Sequence, residues 1–293
     1  YNEEPEEILM IELRRARPGE EAAVAALWNQ VFGDDETFLA DFYRLCVPYD
    51  RILVLVEDGV LRTILCAPLM TFRFPNGKSL KSGYMYALAS DPAIRERGFG
   101  RQMMRYGETY LKGEGADCAI LVPAEPSLFR FFDSLDYVPA FAHIRREFSR
   151  DEVTAVADGV VPAAPSEYNA IRRRWLEGRC YADCDDKLVE FQQFLSHAAG
   201  GDIYSLALPG GTGCAAVEMD GGTAMVKELL CESADVAAAL GMLAARQEAE
   251  RYVVRRPVWS GEPGERVLWG AVRWLFTCFG AGAFTFQAFL TGA

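Results

Sequence analysis

The stretch Tyr86-Ala-Leu-Ala-Ser90-Asp-Pro-Ala-Ile-Arg95-Glu-Arg-Gly98-Phe-Gly100-Arg-Gln-Met-Met decides the fold. An apolar strand runs up to Ser90, a loop rich in arginine and glycine follows, and a helix begins near residue 98 and runs to about residue 112. The first turn of a helix carries unpaired N–H groups and the positive end of its dipole, so it attracts phosphate. Gly98 and Gly100 remove side chains that would obstruct an anion, and consecutive N–H groups there can form a nest. Arg95, Arg97 and Arg101 add positive charge. The spacing fits neither a Walker A loop nor the dinucleotide-binding pattern, since no Gly-Lys-Ser/Thr follows. Taken alone, Gly98-x-Gly100 reads as a glycine-bearing turn with solvated arginines; its flanks change that reading.

Upstream, a strand is expected over residues 8–13, then a helix opened by Pro18-Gly19-Glu20-Glu21 and running to about Phe32. A second helix, capped within residues 34–37, should reach Leu45. Asp58-Gly59 marks a hairpin, and Pro75-Asn76-Gly77 a second turn before a strand over residues 84–89. Downstream come a strand at 118–122, a helix at 127–135, and strands from Tyr137 onward and over 144–148. Hairpins around one central β-α-β crossover predict an α/β (α+β) fold with mixed, partly antiparallel sheets flanked by helices.

Pro162-Ala-Ala-Pro165 reads as a linker. Beyond it, helices at 167–176 and 187–198 lead to strands at 203–208 and 213–219. A turn over residues 220–222, a strand at 224–231, a helix at 233–249 and a strand at 252–255 complete the series. The same order occurs twice, which predicts two tandem related domains, residues 1–150 and 151–293. The second lacks the loop: Ser90 to Cys118 is 28 positions and Cys231 to Tyr252 is 21, and the shortfall of seven equals residues 91–97.

In this context the loop resembles the acyl-CoA loop of the GNAT N-acetyltransferase superfamily, whose pattern is Arg/Gln-x-x-Gly-x-Gly/Ala. Arg95-Glu96-Arg97-Gly98-Phe99-Gly100 matches every defined position. The resemblance covers about residues 8–150 and extends to Phe131-Phe132-Asp-Ser-Leu135-Asp-Tyr137, which is similar to the family's Phe-Tyr-x-x-x-Gly-Phe. It implies acetyl-CoA as co-substrate. Leu88, Ala89 and Ser90 would line the pantetheine arm, and residues Arg95, Glu96, Arg97, Gly98, Phe99, Gly100 and Arg101 would hold the pyrophosphate. The implied reaction is direct transfer of an acetyl group to a primary amine, on a thioester carbonyl polarised by N–H groups near Leu88 and Ala89.

The sequence departs from the family where a tyrosine usually protonates the leaving thiolate: Phe132 stands there, and Asp136 replaces the following glycine. A non-catalytic acyl-CoA-binding regulatory or interaction module is therefore the alternative function. Tyr86, beside Tyr84, is a candidate for lining the acceptor pocket or protonating the thiolate, with packing in the core as its other use. Glu125 is a candidate base acting through water, or else a helix-start carboxylate. The C-terminal carboxylate is a further candidate, because some two-domain relatives bring it to the active site. The tandem with one loop resembles the enhanced-intracellular-survival acetyltransferases. They usually add a sterol-carrier-like third domain, for which 293 residues leave no room.

Composition bounds the rest. With 51% hydrophobic and 25% charged residues the chain is globular rather than disordered. A net charge of −12 disfavours nucleic acid and anionic membrane as partners and favours a cationic small-molecule amine. Only His143 and His197 occur, and Cys180-x-x-x-Cys184 has no partner pair, so no metal is expected. Whether the chain forms a homo-oligomer stays open. Glu3, Glu4, Glu6 and Glu7 occupy the start, where a secretory signal would need a basic, then apolar run, so a cytoplasmic location is expected. Residues 274–293 carry no charge and are long enough to span a bilayer, but Gly280 and Gly282 interrupt them. They are read as the end of a helix over about 265–278, a Gly-Ala-Gly turn and a buried strand at 283–290.

Overall fold

In chain order the first half runs β1 (Ile11–Arg15), α1 (Glu21–Phe32), α2 (Glu36–Leu45), β2 (Ile52–Glu57), β3 (Val60–Cys66), β4 (Leu69–Arg73), β5 (Ser79–Tyr84), β6 (Tyr86–Ser90), α3 (Phe99–Gly113), β7 (Cys118–Leu121), α4 (Phe129–Asp133) and β8 (Val138–Ser149). The second runs β9 (Val160–Pro162), α5 (Pro165–Leu176), β10 (Tyr181–Asp183), α6 (Asp186–Ala198), β11 (Asp202–Leu208), β12 (Gly211–Asp220), β13 (Thr223–Leu230), α7 (Val236–Arg246), β14 (Arg251–Pro257) and β15 (Glu265–Trp274). The structure, a computed structural model, describes residues 10–94 and 96–276. These fall into two units, one of residues 10–69, 82–121 and 274–276, the other of residues 70–81 and 122–273. Residues 122–150, expected with the first domain, pack in the second unit because β8 pairs with β14.

In the first unit β1, β2, β3 and β6 form an antiparallel sheet in that order. Its hairpin turns at Asp58-Gly59, and Asp35 caps α2 by accepting the Phe38 N–H. β5 pairs in parallel with β7. α3 lies close against this layer because Gly107 has no side chain: a Cβ there would come within 2.7 Å of Leu65 and Met85.

The second unit holds the short antiparallel pair β4–β10 and a sheet ordered β15-β8-β14-β13-β12-β11-β9. The β13–α7–β14 crossover makes its one parallel pair among these strands. Strands β9, β11, β12 and β13, with α5 and α6 after the first and α7 after the last, repeat the order β1, β2, β3, β6 with α1, α2 and α3. The mixed, partly antiparallel fold expected from the sequence is thus present.

Three local readings change. Residues 265–274 form a strand, not a helix; β15 lies antiparallel to β8, with register shifts on both sides of Gly270. The turn and strand expected beyond residue 278 lie outside the described residues. Residues 162–165 are not a linker: Pro162 ends β9, an edge strand where the missing N–H costs no ladder bond, and Ala163 is buried. The strands expected from Tyr137 and over 144–148 are one continuous β8.

Candidate functional site

The strand before the loop is two strands. Tyr84 ends β5, where Tyr84 pairs with Ile120, and Met85 donates its N–H to the Ile120 carbonyl at 2.8 Å. One residue later Tyr86 pairs with Cys66 of β3. Just after this change of partner Ala87 adopts φ +52°, a left-handed conformation that costs an alanine roughly 1–3 kcal/mol, and the β3–β6 ladder is irregular there. The chain thus switches partners between Met85 and Tyr86, and β6 ends its sheet as an edge strand. The Asp91 N–H bonds to Arg62 O at 2.8 Å and Ala89 pairs with Ile64, so alternation turns the peptide groups of Leu88 and Ser90 to the open edge. Ala89, expected to share in polarising a carbonyl, is turned toward β3. The Ser90 hydroxyl is held 3.1 Å from that of Thr63.

The loop closes on Asp91, whose carboxylate accepts the Ala93 N–H at 2.9 Å. Arg95 lies outside the described residues. Glu96 (φ +72°) and Gly98 (φ +78°) are both left-handed, and Gly98 caps α3. The first helical bond runs from Gln102 N–H to Gly98 O, which leaves the N–H groups of Phe99 and Gly100 without an intrahelical acceptor. The first turn has no acidic residue and no capping side chain. A Cβ on Gly98 would meet nothing within 4 Å, and one on Gly100 only Leu88 and Ser90 at 3.8 and 3.9 Å. This helix end is open, uncapped and electropositive.

The arginines behave differently from the sequence reading. Arg97 does not extend as a spare charge: it makes a two-pronged pair with Glu57, at 2.6 and 2.9 Å, and lies 4.7 Å over the Phe99 ring. Glu57 is 4% exposed and also approaches Arg62 at 3.4 Å, which pairs with Asp91 at 2.9 Å. The Arg97 charge is matched, and its pair ties the loop to the end of β2. Arg101 stays exposed in the first turn of α3. Glu57 is the residue that sequence reasoning missed; its only signal was an acid ending the apolar run Ile52-Leu-Val-Leu-Val-Glu57.

Tyr86 is half-buried, with its ring 5.2 Å from Tyr84 and 5.7 Å from Phe42. Burial, then the neighbouring Tyr86 and Cys46, pushes the Tyr84 phenol well above its ordinary range, so Tyr84 holds its proton. Leu88, Ala89, Ser90, Glu96, Arg97, Gly98, Phe99, Gly100, Arg101 and Tyr86 all belong to the first unit; Glu125 belongs to the second. Glu125 is exposed and accepts a hydrogen bond from the Ser127 hydroxyl at 3.0 Å. Phe132 is buried in the same unit, 5.1 Å from the Phe131 ring and 6.2 Å from Tyr137. The C-terminal carboxylate lies outside the described residues. Among the described residues no cluster of three His, Cys, Asp or Glu side chains could hold a metal ion, and no helix is long and apolar enough to cross a membrane.

Residues 12–137 match the family model described as an acetyltransferase (GNAT) domain. No curated protein matches the sequence. Among solved structures, a probable N-acyltransferase from Enterococcus faecalis V583 superimposes with a TM-score of 0.70 at 13% identity, over 91% of this chain and 73% of that one. A GCN5-related N-acetyltransferase from Kribbella flavida gives 0.68 at 15% identity, over 91% and 71%. Eis1 from Mycobacterium abscessus gives 0.65 at 16% identity, over 91% and 74%. With a split strand, an open edge and an uncapped glycine-led helix inside the matched segment, this chain carries a GNAT acetyltransferase domain over residues 12–137.

Proposed function

We propose that the chain is an acetyl-CoA-dependent N-acetyltransferase that moves an acetyl group to a primary amine by direct transfer. The carrying observation is the open edge of β6 leading into the uncapped first turn of α3. Peptide groups of Leu88 and Ser90 would pair with the amides of pantetheine as an added strand does, and the Leu88 N–H would polarise the thioester carbonyl. The N–H groups of Phe99 and Gly100 at this helix end would take the pyrophosphate, with Arg101 beside them. Glu96 and Arg97 would shape the loop, and Arg95 would add charge. The deprotonated amine attacks the carbonyl, the carbon–sulfur bond breaks, and the thiolate takes a proton. Tyr86 is our candidate for that proton and Glu125 for the base. A net charge of −12 favours a cationic small-molecule acceptor.

We further propose that residues 151–293 are a degenerate second copy, a reading supported by the repeated strand order and by structural matches that extend over 91% of the chain. One observation favours the alternative of a non-catalytic acyl-CoA-binding module: Phe132 has no proton to give. Loss of a general acid costs roughly 10²–10⁴ in rate, which slows turnover without abolishing it. A DTNB assay of thiol release against a panel of amines, with CoA binding followed by calorimetry, tests the two readings. Thiol release on one or more cationic amines is expected; tight CoA binding with no turnover on any amine would overturn the catalytic reading.

A further inference from the structure

Positive charge is scarce in a chain of net −12, yet four arginines converge on one cleft of about 440 Å³ in the second unit. They come from different elements. Arg73 ends β4, opposite Tyr181 of β10. Arg173 and Arg174 lie in the last turn of α5. Gly178, at φ +71°, then reverses the chain, and the Arg179 N–H bonds back to Leu176 O at 3.0 Å.

Two of the four are held in fixed orientation. Asp183, whose side chain is 8% exposed, accepts from Arg73 Nε at 2.7 Å and from Arg173 Nε at 3.0 Å, one oxygen for each. The other two have no carboxylate among the described residues: Arg174 makes no ion pair, and Arg179 lies 4.6 Å over the Trp259 ring. Glu177 is the one carboxylate in the lining. Arginines at a helix C-terminus complement its dipole, which accounts for Arg173 and Arg174. It does not account for Arg73 on a neighbouring hairpin or for Arg179 beyond the turn. The hairpin segment 70–81 itself carries Arg73, Lys78 and Lys81 and no acid.

We propose that this cleft binds a phosphorylated small molecule, a di- or triphosphate. A single carboxylate offers two oxygens and is matched by one guanidinium fork, whereas forks from separate elements suit the many oxygens of a polyphosphate. The volume falls in the range of small-ligand clefts, roughly 300–1,000 Å³. Phe74 and Tyr181, in the same lining, give the ligand's non-phosphate part an apolar wall.

The α3 loop is itself an anion site, so the test removes it first. Tripolyphosphate is titrated by calorimetry into the full chain carrying Gly100→Asp, then into the same chain with Arg174→Ala and Arg179→Ala added. Saturable binding of one equivalent is expected in the first, weakened about tenfold or more in the second, since charge-assisted contacts are lost. Both arginines are exposed, and an unchanged melting temperature verifies the fold. The proposal is overturned by no binding to the Gly100→Asp chain or by equal affinity of the arginine variants. Citrate binding as tightly as tripolyphosphate overturns it too.

Discussion

Two helices follow the fourth strand of a like-ordered sheet, and their N-cap positions differ: Gly98 before α3, Asp235 before α7. α3 is preceded by eight residues, 91–98, and starts from left-handed Gly98 with no acid and no capping side chain in its first turn. α7 is preceded by five residues, 231–235, and its end is occupied by Asp235, which is 7% exposed. The Asp235 carboxylate accepts the Gly210 N–H at 2.9 Å. A fixed carboxylate thus sits where α3 leaves room for an external anion. The seven-residue shortfall expected to be the whole loop divides otherwise: three residues come from the loop and four from the helix, 15 residues in α3 against 11 in α7. The difference between the two ends lies in the backbone and the N-cap residue more than in arginine count, since Arg97 is already matched by Glu57.

The largest effect should come from bringing to the α3 end an acid such as Asp235 supplies at the N-cap of α7. Gly100→Asp adds a carboxylate to the first turn, where its Cβ has ordinary room. Against a pyrophosphate about 4 Å away it should cost roughly 3–4 kcal/mol, about 100-fold or more in acetyl-CoA affinity by calorimetry. The same carboxylate complements the helix dipole, so the melting temperature should hold or rise. Gly98→Val should also abolish binding, through a β-branched residue at φ +78°. Normal affinity in both variants would move the pyrophosphate away from this turn.

Acid should separate the units next. Both histidines, His143 and His197, lie in the second unit. Burial first, then Arg255 and Arg145, lowers His143 from 6.5 to about 4. Above pH 6.5 it is neutral folded or unfolded and contributes no slope. Below 6.5 the unfolded chain takes a proton that the folded chain refuses, so stability falls until the folded form titrates near 4, by about 3 kcal/mol in all. His143→Gln should flatten that part of the stability–pH curve; an unchanged slope between pH 6.5 and 4 would show that His143 is not the source.

Much of this was legible in the sequence where the signal is local. Asp58-Gly59 fixes a hairpin, Asp35 caps α2, and Gly98 with Gly100 marks a helix end stripped of side chains. What escaped was set by distant partners. β15 was read as a helix because shifts around Gly270 break the alternation that announces a strand, and its identity comes from pairing with β8, more than 100 residues earlier. Arg97 looks like spare charge in the sequence because its partner Glu57 is 40 residues away. The split between Tyr84 and Tyr86 has no local signature, because it is set by pairing with Ile120 of β7 on one side and Cys66 of β3 on the other.

Emptying the α7 end is the converse of filling α3. Asp235→Ala should lower stability by about 1–2 kcal/mol, as the Gly210 N–H loses its acceptor and the dipole its counter-charge. Acetyl-CoA affinity should not change, and calorimetry should still count one bound equivalent. A second equivalent that persists when Arg174→Ala and Arg179→Ala remove the arginine cleft would contradict the reading of the second copy as degenerate.

The smallest effect concerns the strands themselves. Both like-ordered sheets interrupt the ladder between the third and fourth strands, at Ala87 in one and at Lys227 in the other. Only Ala87 is left-handed; Lys227 is not, and it pairs with Glu218 at 2.9 Å. Glycine adopts the left-handed region freely, so Ala87→Gly should relieve strain and raise stability by up to about 1 kcal/mol. Lys227→Gly should lower stability by about 1 kcal/mol, through added backbone entropy and the lost pair. Opposite signs in thermal melts would mark strain as a property of the copy with the open edge. A fall in both would mean that Ala87 carries no strain worth relieving, and the splayed edge of β6 would then rest on its pairing with β3 and that of β5 with β7.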